Sequence, residues 1–434
     1  MKALLAVALL VLVTLAGATT YYVAKTGDDD DNGSEGAPWL TVSYAATQLM
    51  AGDTCWVKAG LYTEPDTLWF DTNAGTESDT IVYKSYDGWN TTIDGGIWVM
   101  KQYISIEDFR LTYSRILNSQ VLRFFASHCA LRGCEVVMSP AHSSNVSGVS
   151  NTRQSGNDTL HGLLYDNNTI HGFGYDNNAH AIYVKGHHQT VTNNICYDNR
   201  GRDIPLYDEG DSVNYCEVAY NICHNSITGN GILVSGNNNW IHHNVVYGNT
   251  QDCGIKLYWS TCTYDNEVSN NVLFNNVYGI MVYPVAENLI RNNLLINNGF
   301  TDDGTFNVRQ LFVDDSTSDV ILDYNCYYPD GSAAFRWGIN GERDFAGHQV
   351  FGQDANGMSA DPLCVDTASY NFHLTATSPC IDAGDPTTLP GFDIEGVTTP
   401  QGAEIDIGAY EYEDGRGPAK RHWKHPKKNK VVGP

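Results

Sequence analysis

The sequence predicts an all-β chain that winds into a parallel solenoid, in which a short strand of each coil stacks on the same strand of the next coil. Two repeated motifs between residues 160 and 330 carry this prediction. Composition supports it, because 42% hydrophobic residues with 41 Gly, 26 Tyr and 9 Trp are too apolar and aromatic for a disordered chain. Stretches rich in Ala, Leu, Glu and Lys are scarce, which argues against a helical bundle.

The charge balance disfavours nucleic acid and membrane surfaces as partners. The chain has 25 Lys and Arg residues against 50 Asp and Glu residues, and its formal net charge is −25. A chain this acidic is repelled by phosphate backbones and by anionic bilayers.

Residues 1–18 have the composition of a cleavable secretory signal peptide. Lys2 precedes an apolar run from Ala3 to about Leu15, and Ala16-Gly17-Ala18 has the small-residue pattern of a cleavage site. A retained membrane anchor is the alternative, although the run is shorter than the ~20 residues of a spanning helix. We therefore predict a secreted or cell-surface protein whose folded domain covers residues 19–412.

The last residues, 413–434, are predicted to form a disordered basic tail. From residue 415 onward the tail has no Asp or Glu, and its cations are Arg416, Lys420, Arg421, Lys424, Lys427, Lys428 and Lys430. A segment rich in Pro, Gly and Lys does not bury a core. It serves either as a solvated tail or as an electrostatic tether to an anionic surface polymer.

The first repeated motif is an Asn flanked by apolar residues and followed by a turn. The aligned residues are Asn168, Asn194, Asn221, Asn244, Asn271, Asn293 and Asn325. Their spacing varies between 22 and 32 residues, which suits a coil with fixed strands and variable loops. Stacking the coils brings these side chains together, so we predict an amide ladder at the turn.

The second motif is a short strand with alternating apolar residues. Its copies are AIYVK, DIPLY, GILVS, GIKLY and GIMVY, and their first apolar positions are Ile182, Ile204, Ile232, Ile255 and Ile280. Alternation with a period of two means one buried face and one open face. We expect these five Ile side chains in one interior column.

These repeats resemble the right-handed parallel β-helix proteins of the pectate-lyase-like superfamily. Residues 21–64 are similar to the N-terminal cap and first coil of secreted proteins of that group, and residues 361–412 are similar to their closing segment. The resemblance implies a right-handed, single-stranded parallel β-helix. It identifies no single chemistry, because the group includes lyases, glycoside hydrolases, epimerases and proteins with no known activity.

The alternate positions of the second motif are expected to form an outer face. One outward column is Tyr183, Pro205, Leu233, Lys256 and Met281; the next is Lys185, Tyr207, Ser235, Tyr258 and Tyr283; a third is Ala181, Asp203, Gly231, Gly254 and Gly279. At ~4.8 Å per strand, five strands give a groove floor roughly 20 Å long, comparable with a few sugar units. We predict substrate contacts from Tyr183, His187, His188 and Tyr283.

The resemblance makes β-elimination of a uronic-acid polysaccharide the leading hypothesis. A base must remove the proton next to the substrate carboxylate, a cation or metal must neutralise that carboxylate, and an acid must protonate the leaving oxygen. The candidates for base are Lys185 and Lys256, and those for acid are Tyr207 and Tyr258. Neutralisation falls to Arg202 or to Ca²⁺ held by Asp203, Asp208, Glu209 and Asp211. We favour Lys185 with Tyr207 and the acidic loop.

Two other functions fit the same sequence. A glycoside hydrolase would use paired carboxylates, with Asp203 facing Asp208 or Glu209. A non-catalytic carbohydrate-binding or adhesive β-helix needs neither, since exposed Lys and Tyr side chains commonly just pack on a sheet face. In each case the partner is a polysaccharide, and the protein is expected to be a monomer.

Eleven Cys residues in an exported chain predict some disulfides, and the odd number leaves at least one thiol unpaired. Cys196 and Cys223 occupy the same place in adjacent coils, within reach of a disulfide, and a reduced buried pair is the equal alternative. Cys253 with Cys262, and Cys129 with Cys134, are close in sequence. In the resembling proteins apolar residues stand where this chain has Cys364 and Cys380, and the double change implies a bond between them.

Overall fold

The computed structural model describes residues 17–114, 120–138, 147–152, 160–174, 178–207, 213–258, 263–283, 285–299, 307–314, 319–338, 341–388 and 391–414. For residues 64–66 it describes the backbone alone. Most of the predicted signal peptide and basic tail lie outside these ranges. Within them, no helix is both long and apolar enough to cross a membrane.

The chain winds around three parallel sheets, which confirms the all-β parallel solenoid. The first sheet has 12 strands. In order along the sheet they are Thr20–Val23, Thr54–Val57, Ile81–Ser85, Ile104–Glu107, Ala130–Arg132, Leu164–Asp166, Thr190–Thr192, Glu217–Ala219, Trp240–His242, Glu267–Ser269, Leu289–Arg291 and Ile321–Asp323.

The second sheet contains one strand of nearly every coil. Its strands are Gly60–Phe70, Thr91–Val99, Arg110–Thr112, Glu135–Val137, Thr169–His171, Ile195–Tyr197, Ile222–His224, Val245–Tyr247, Val272–Phe274, Leu294–Ile296, Cys326–Tyr328 and Met358–Ser359. The long strand Thr91–Val99 bends around a corner, because its first half pairs with Arg110–Thr112 and its second half with Leu122–Phe124. It therefore joins the second sheet to the third side of the solenoid.

We call that third side the third face. Its strands, after the end of Thr91–Val99, are Leu122–Phe124, Val149–Asn151, Ile182–Tyr183, Ile204–Leu206, Ile232–Val234, Ile255–Leu257, Ile280–Val282, Leu311–Val313 and Phe335–Trp337. A bridge between Val184 and Leu206 connects the upper and lower parts. The antiparallel strand Gly341–Arg343 closes this face at the C-terminal end.

Helices occur at the two ends of the solenoid. Val42–Gln48 is capped by the Thr41 hydroxyl, which accepts from the Tyr44 amide at 3.1 Å, and its buried residues Val42 and Ala45 join the core. The other helical segments are Phe345–Gln349 and the 3₁₀ turns Gly88–Asn90 and Thr367–Ser369. Two antiparallel pairs follow in the closing segment, Cys364–Asp366 with Asn371–Leu374 and Gly391–Phe392 with Thr398–Thr399.

The predicted interior column is confirmed. Ile182, Ile204, Ile232, Ile255 and Ile280 are all fully buried. The last four pair in direct register from strand to strand. This column of Ile side chains therefore forms the part of the core that lies directly inside the third face.

One of the three predicted outward columns in fact points inward. Ala181 and Asp203 are fully buried, and a Cβ added to Gly231 or Gly254 would collide with the side chain of Val246 or Leu273 from the second sheet. The chain turns into the third face at these positions, so strict alternation does not hold there. Small residues are required because the second sheet approaches closely.

The predicted Asn ladder is also confirmed. From Asn168 to Asn325 each Nδ2 donates to the Oδ1 of the next Asn at 2.9 or 3.0 Å, and every member is buried. Each Oδ1 also accepts the backbone N–H of the preceding Asn, as Asn271 does for Asn244 at 2.9 Å. The ladder satisfies the polar groups of the tight turn between the first and second sheets.

Two further amide ladders occupy the other two corners, and the sequence motif did not predict them. Asn249, Asn276, Asn298 and Gln310 form one at the turn into the third face. Asn239, Asn266 and Asn288 form the other at the turn out of it. All three corners are therefore fixed by buried side-chain hydrogen bonds.

The first ladder ends in a buried carboxylate. Asn325 donates to Asp354 Oδ1 at 2.9 Å, while Asp354 Oδ2 accepts from the Tyr327 hydroxyl at 2.7 Å and lies 2.8 Å from His348 Nε2. His348 Nδ1 in turn accepts from the Trp337 indole at 3.1 Å. This network caps the last coil.

The closing segment folds back over the outer side of the second sheet. Phe372, Leu374, Ile394 and Ile407 pack on apolar side chains that this sheet points outward, among them Val272. Hydrogen bonds from Asn270 Nδ2 reach the carbonyls of Asp406 and Gly408 at 3.0 and 3.3 Å. These contacts cover the outward-pointing apolar side chains of the second sheet, which would otherwise be exposed to solvent.

The ten cysteines within the described residues are free thiols, and Cys262 lies outside those residues. Cys196 and Cys223 pair in direct register and are both buried, as the repeat predicted. Cys380 lies close to Cys364 and also to Cys326 of the last coils, in one apolar cluster. Cys326 is therefore an alternative partner for Cys380 in a disulfide, which the sequence did not indicate.

Candidate functional site

The outer side of the third face brings together most of the predicted site residues. Register between strands places Pro205, Leu233, Lys256, Met281 and Phe312 in one central column. A second column two positions later contains Lys185, Tyr207, Ser235, Tyr258 and Tyr283. The predicted floor thus exists, although it is divided into two polar clusters.

The first cluster lies at the N-terminal end of the floor. The rings of Tyr183 and Tyr207 stack with centroids 6.5 Å apart, and the Lys185 ammonium nitrogen is 4.9 Å from the Tyr183 ring centroid. All three side chains are half-buried. The backbone of Lys185 is held by Asn151, whose side chain accepts from the Lys185 amide at 2.7 Å and donates to its carbonyl at 2.6 Å.

Arg202 joins this cluster from the turn before the next strand. Its backbone N–H donates to His180 Nδ1 at 3.0 Å, and His180 is in edge contact with Tyr183 at 5.3 Å. The Arg202 Nε is buried and has no hydrogen-bond partner among the described residues. A buried guanidinium nitrogen without a partner is costly, which is a reason to look for an anionic ligand here.

The second cluster is centred on Lys256, two coils beyond Tyr207. Its ammonium nitrogen lies 3.4 Å from Asp252 Oδ2 and 5.3 and 5.1 Å from the ring centroids of Tyr258 and Tyr283. The two rings meet edge to face at 5.2 Å. Asp252 also accepts from Asn230 Nδ2 at 3.3 Å.

The pKa of Lys256 is raised above its ordinary value. Burial favours the neutral amine, but the electrostatic effect of neighbouring groups, Cys253 and Asp252 foremost, outweighs burial and stabilises the ammonium. A lysine must lose its proton to act as a general base. Lys256 is therefore unsuited to the role of base that the sequence left open for it, and suits electrostatic binding of an anion instead.

An apolar stretch separates the two clusters. Pro205, Leu233 and Ser235 face outward between them but are buried. Lys185 and Lys256 are three strands apart, a separation of roughly 14 Å along the floor. They do not act on the same bond.

The structure places His187 and His188 away from this floor. They lie at the turn between the third face and the first sheet, where His188 is exposed, has a φ of 52° and stacks on Tyr215 at 5.2 Å. The predicted substrate contact from these two residues is thus at the edge of the groove. Tyr183 and Tyr283 remain on the floor.

The prediction that Asp203 binds a metal ion is wrong. Its carboxyl is fully buried and accepts from Asn199 Nδ2 and from the Ser226 hydroxyl, both at 2.8 Å. Burial raises the pKa of Asp203 well above its ordinary value, and the hydrogen bonds from Asn199 and Ser226 offset this only in part. The other three predicted ligands, Asp208, Glu209 and Asp211, lie outside the described residues, within which no three His, Cys, Asp or Glu side chains form a metal-binding group.

Sequence reasoning missed several groups on this face. Asp252 was overlooked, although its position four residues before Lys256 was a usable signal. Arg309 and Arg336 extend the floor beyond Tyr283, with their guanidinium carbons 5.4 and 5.6 Å from the ring centroids of Tyr278 and Phe312. The sequence of these coils departs so far from the second motif that its strand positions were not predicted.

Comparison with known proteins supports the fold assignment. Residues 115–308, less than half of the chain, match a family described as periplasmic copper-binding protein (NosD). The described residues of that segment contain no group of three metal-ligating side chains, so those residues do not fit a copper site. No curated protein matches the sequence significantly.

Solved structures with the same architecture include two carbohydrate-active enzymes. A pectate lyase, Pel9A, superposes with a TM-score of 0.62 at 16% identity, over 92% of this chain and 98% of that one. The GH136 lacto-N-biosidase from Eubacterium ramulus gives a TM-score of 0.50 at 12% identity, over 73% of this chain and 65% of that one. Together with the stacked coils, these matches show that the chain is a right-handed parallel β-helix protein with the pectate-lyase-like fold.

Proposed function

We propose that this protein is a polysaccharide lyase that cleaves a uronic-acid-containing polymer by β-elimination. The observation that carries the proposal is the first cluster, where Lys185, stacked tyrosines and a guanidinium nitrogen without a partner share one face. A groove with aromatic rings and cations suits an anionic sugar chain. The pectate lyase among the similar structures supports the same class of reaction.

Each residue of the cluster has a step in this proposal. Arg202 binds the substrate carboxylate and so acidifies the neighbouring C–H. Lys185 is the base that takes that proton on its side-chain nitrogen; the electron pair of the C–H bond forms the C=C bond and the glycosidic C–O bond breaks. The Tyr207 hydroxyl donates its proton to the leaving oxygen. Lys256, held as an ammonium, binds the carboxylate of a sugar further along the chain.

Calcium remains part of the proposal through residues of the acidic loop. With Asp203 excluded, the ligands would be Asp208, Glu209 and Asp211, whose carboxylates are suitable donors. When bound there, Ca²⁺ would supply charge neutralisation in addition to that of Arg202. No step above depends on it.

The second candidate function is non-catalytic binding of the same polymer. The raised pKa of Lys256 favours it, because a floor of permanently charged cations and aromatic rings binds anionic chains without needing a base. The hydrolase alternative loses its support, since buried Asp203 cannot face a glycosidic bond. We also propose an extracytoplasmic location, which the predicted signal peptide and the periplasmic family match support.

The deciding experiment measures absorbance near 235 nm, where unsaturated uronate products absorb. Purified protein is incubated with polygalacturonate, alginate, rhamnogalacturonan and glucuronan, with Ca²⁺ and with EDTA. Growth of absorbance on one polymer supports the lyase. Inertness on all four, combined with retention of the protein on one of them in affinity electrophoresis, assigns the binding function instead.

A further inference from the structure

A second groove lies at the N-terminal end of the solenoid, at the corner between the first and second sheets. It is a cleft of about 630 Å³, a volume in the range typical of ligand sites. Six side chains characterise its walls: Trp56, Lys84, Tyr86, Asp87, Trp89 and Asp108. This corner is formed without any strand of the third face, so the cleft is separate from the floor described above.

One wall of the cleft is a turn that is held rigidly. Gly88–Asn90 forms a single 3₁₀ turn between the first and second sheets. The Trp89 indole N–H donates to the carbonyl of Gly133 at 2.8 Å, and the Ser85 hydroxyl donates to the carbonyl of Gly88 at 2.6 Å. A wall fixed by such bonds needs little reordering when a ligand binds.

One aromatic ring of the cleft, that of Tyr86, is readily accessible. Tyr86 is 52% exposed, and its ring meets the Trp56 ring at 5.8 Å and 79°. An aromatic ring with an open face can stack on the C–H face of a sugar. On the second sheet, by contrast, the rings of His171, Tyr197 and His224 stack on one another, with centroids 4.6 and 5.1 Å apart. Of these two aromatic groups, the cleft is the one able to receive a sugar ring.

The charges in the cleft exclude an anionic sugar. The Lys84 ammonium is already paired, at 2.9 Å to Glu107 and 3.2 Å to Asp108. Asp87 adds another carboxylate, so the lining carries a net negative charge. Side-chain amides from two turns, Asn167 and Asn193, complete the polar lining.

We infer that this cleft binds a neutral oligosaccharide, as a site distinct from the uronate groove of the third face. An accessible aromatic ring, planar polar side chains and a preformed wall are the chemistry that recognises neutral sugars. The net negative lining rejects uronates. The protein would therefore contact two chemically different sugar chains at two corners of one solenoid.

The test is calorimetric titration of the full chain with cello-, xylo-, manno- and galactohexaose, and with hexagalacturonate. We expect at least one neutral hexaose to bind. Tyr86→Ala should weaken that binding about tenfold, a loss of about 1.4 kcal/mol. Tyr215→Ala is the matched control, because Tyr215 is 56% exposed at a distant turn, and it should leave binding unchanged.

Independence of the two sites is tested in the same titrations. Lys185→Ala should retain neutral-hexaose binding, and hexagalacturonate should not compete with it. The inference is overturned if no neutral hexaose binds, if Tyr86→Ala binds as tightly as wild type with an unchanged melting temperature, or if Tyr86→Ala weakens hexagalacturonate alone.

Discussion

Asp252, in the turn before one strand of the third face, forms an ion pair with Lys256 on that strand, with 3.4 Å between Oδ2 and Nζ and side chains only 20% and 16% exposed. The pair sets the charge state of the second cluster, because the pKa of Lys256 is raised despite burial. A raised lysine pKa keeps the ammonium, and its stabilising contribution, up to pH values above the ordinary 10.5, and both are lost as pH rises through the raised pKa.

Asp252→Asn should release Lys256 for the substrate carboxylate. We expect affinity for hexagalacturonate at pH 7 to rise several-fold, about 1 kcal/mol, because a partly exposed pair of this kind contributes no more than that. As pH rises, the variant should lose this binding at a lower pH than wild type does, since Lys256 loses one of the neighbours that raise its pKa. Titration calorimetry at pH 7 and pH 10 checks both. Asp265→Asn makes the same charge change at an exposed turn and should change nothing; weaker binding by Asp252→Asn contradicts the role given to Lys256.

Lys185→Ala should abolish elimination. Loss of a general base costs about 10²–10⁴ in rate, whereas the fold should be unaffected, because the Lys185 side chain lies on the outer surface and not in the Ile column. Lys256→Ala is the matched comparison and should raise KM with little change in kcat. The rates are followed at 235 nm. A Lys185→Ala protein with the wild-type rate would remove Lys185 from the mechanism.

Asn244→Ala should destabilise the solenoid by about 3 kcal/mol. Asn244 Nδ2 donates to the carbonyl of Val218 at 2.8 Å and to Asn271 Oδ1 at 3.0 Å, and its Oδ1 accepts from Asn221, so the substitution leaves several buried groups without partners. Urea unfolding measures the change. Asn307→Ala, at an exposed position, serves as the control and should stay within about 0.5 kcal/mol of wild type.

Asp203→Asn should stabilise the protein increasingly as pH rises. The carboxyl pKa is raised in the folded state, so folding holds a proton that the unfolded chain releases above pH 3.8, and wild-type stability falls through that window. Asn does not titrate; its amide oxygen can accept from Asn199, and its amide nitrogen can donate to the Ser226 hydroxyl oxygen, which reverses the direction of that bond. Comparing variant and wild type in urea at pH 4 and pH 7 should show no difference at pH 4 and a gain at pH 7, with a slope of at most about 1.4 kcal/mol per pH unit. If variant and wild type were equally stable at pH 4 and also at pH 7, Asp203 would have to be ionised inside the core.

The secreted protein should contain an oxidised Cys364–Cys380 pair. Both thiols lie in the closing segment, and export exposes them to oxidants. Non-reducing peptide mapping identifies the linked peptides. Because Cys380 also lies near Cys326, a Cys326–Cys380 peptide would contradict the predicted pairing while keeping the closing segment tied to the coils. Cys364→Ser is the informative variant, since it should leave Cys380 reduced if the prediction is correct.

The repeats were enough to predict the coils, because Ile and Asn side chains recur wherever a strand or a corner recurs. Asp203 was misplaced for a physical reason: strands of about three residues turn at their ends, and alternation fails there. The Lys256 environment was missed because Asp252 precedes the strand in a turn without a fixed pattern. The cleft around Tyr86 was missed because one of its walls is the single 3₁₀ turn Gly88–Asn90, in a coil outside the repeated region.

Folding the last residues back onto earlier coils has a consequence for the order of assembly. In a solenoid without a closing segment each coil contacts only its neighbours, so folding can propagate from coil to coil through contacts that are local in sequence. Here Asn270 donates to the carbonyls of Asp406 and Gly408, which lie 136 and 138 positions later in the sequence. These hydrogen bonds form only after the end of the chain has been synthesised. Until the closing segment has docked, the second sheet therefore exposes a strip of apolar side chains. Loss of that segment would leave this strip exposed to solvent and prone to association.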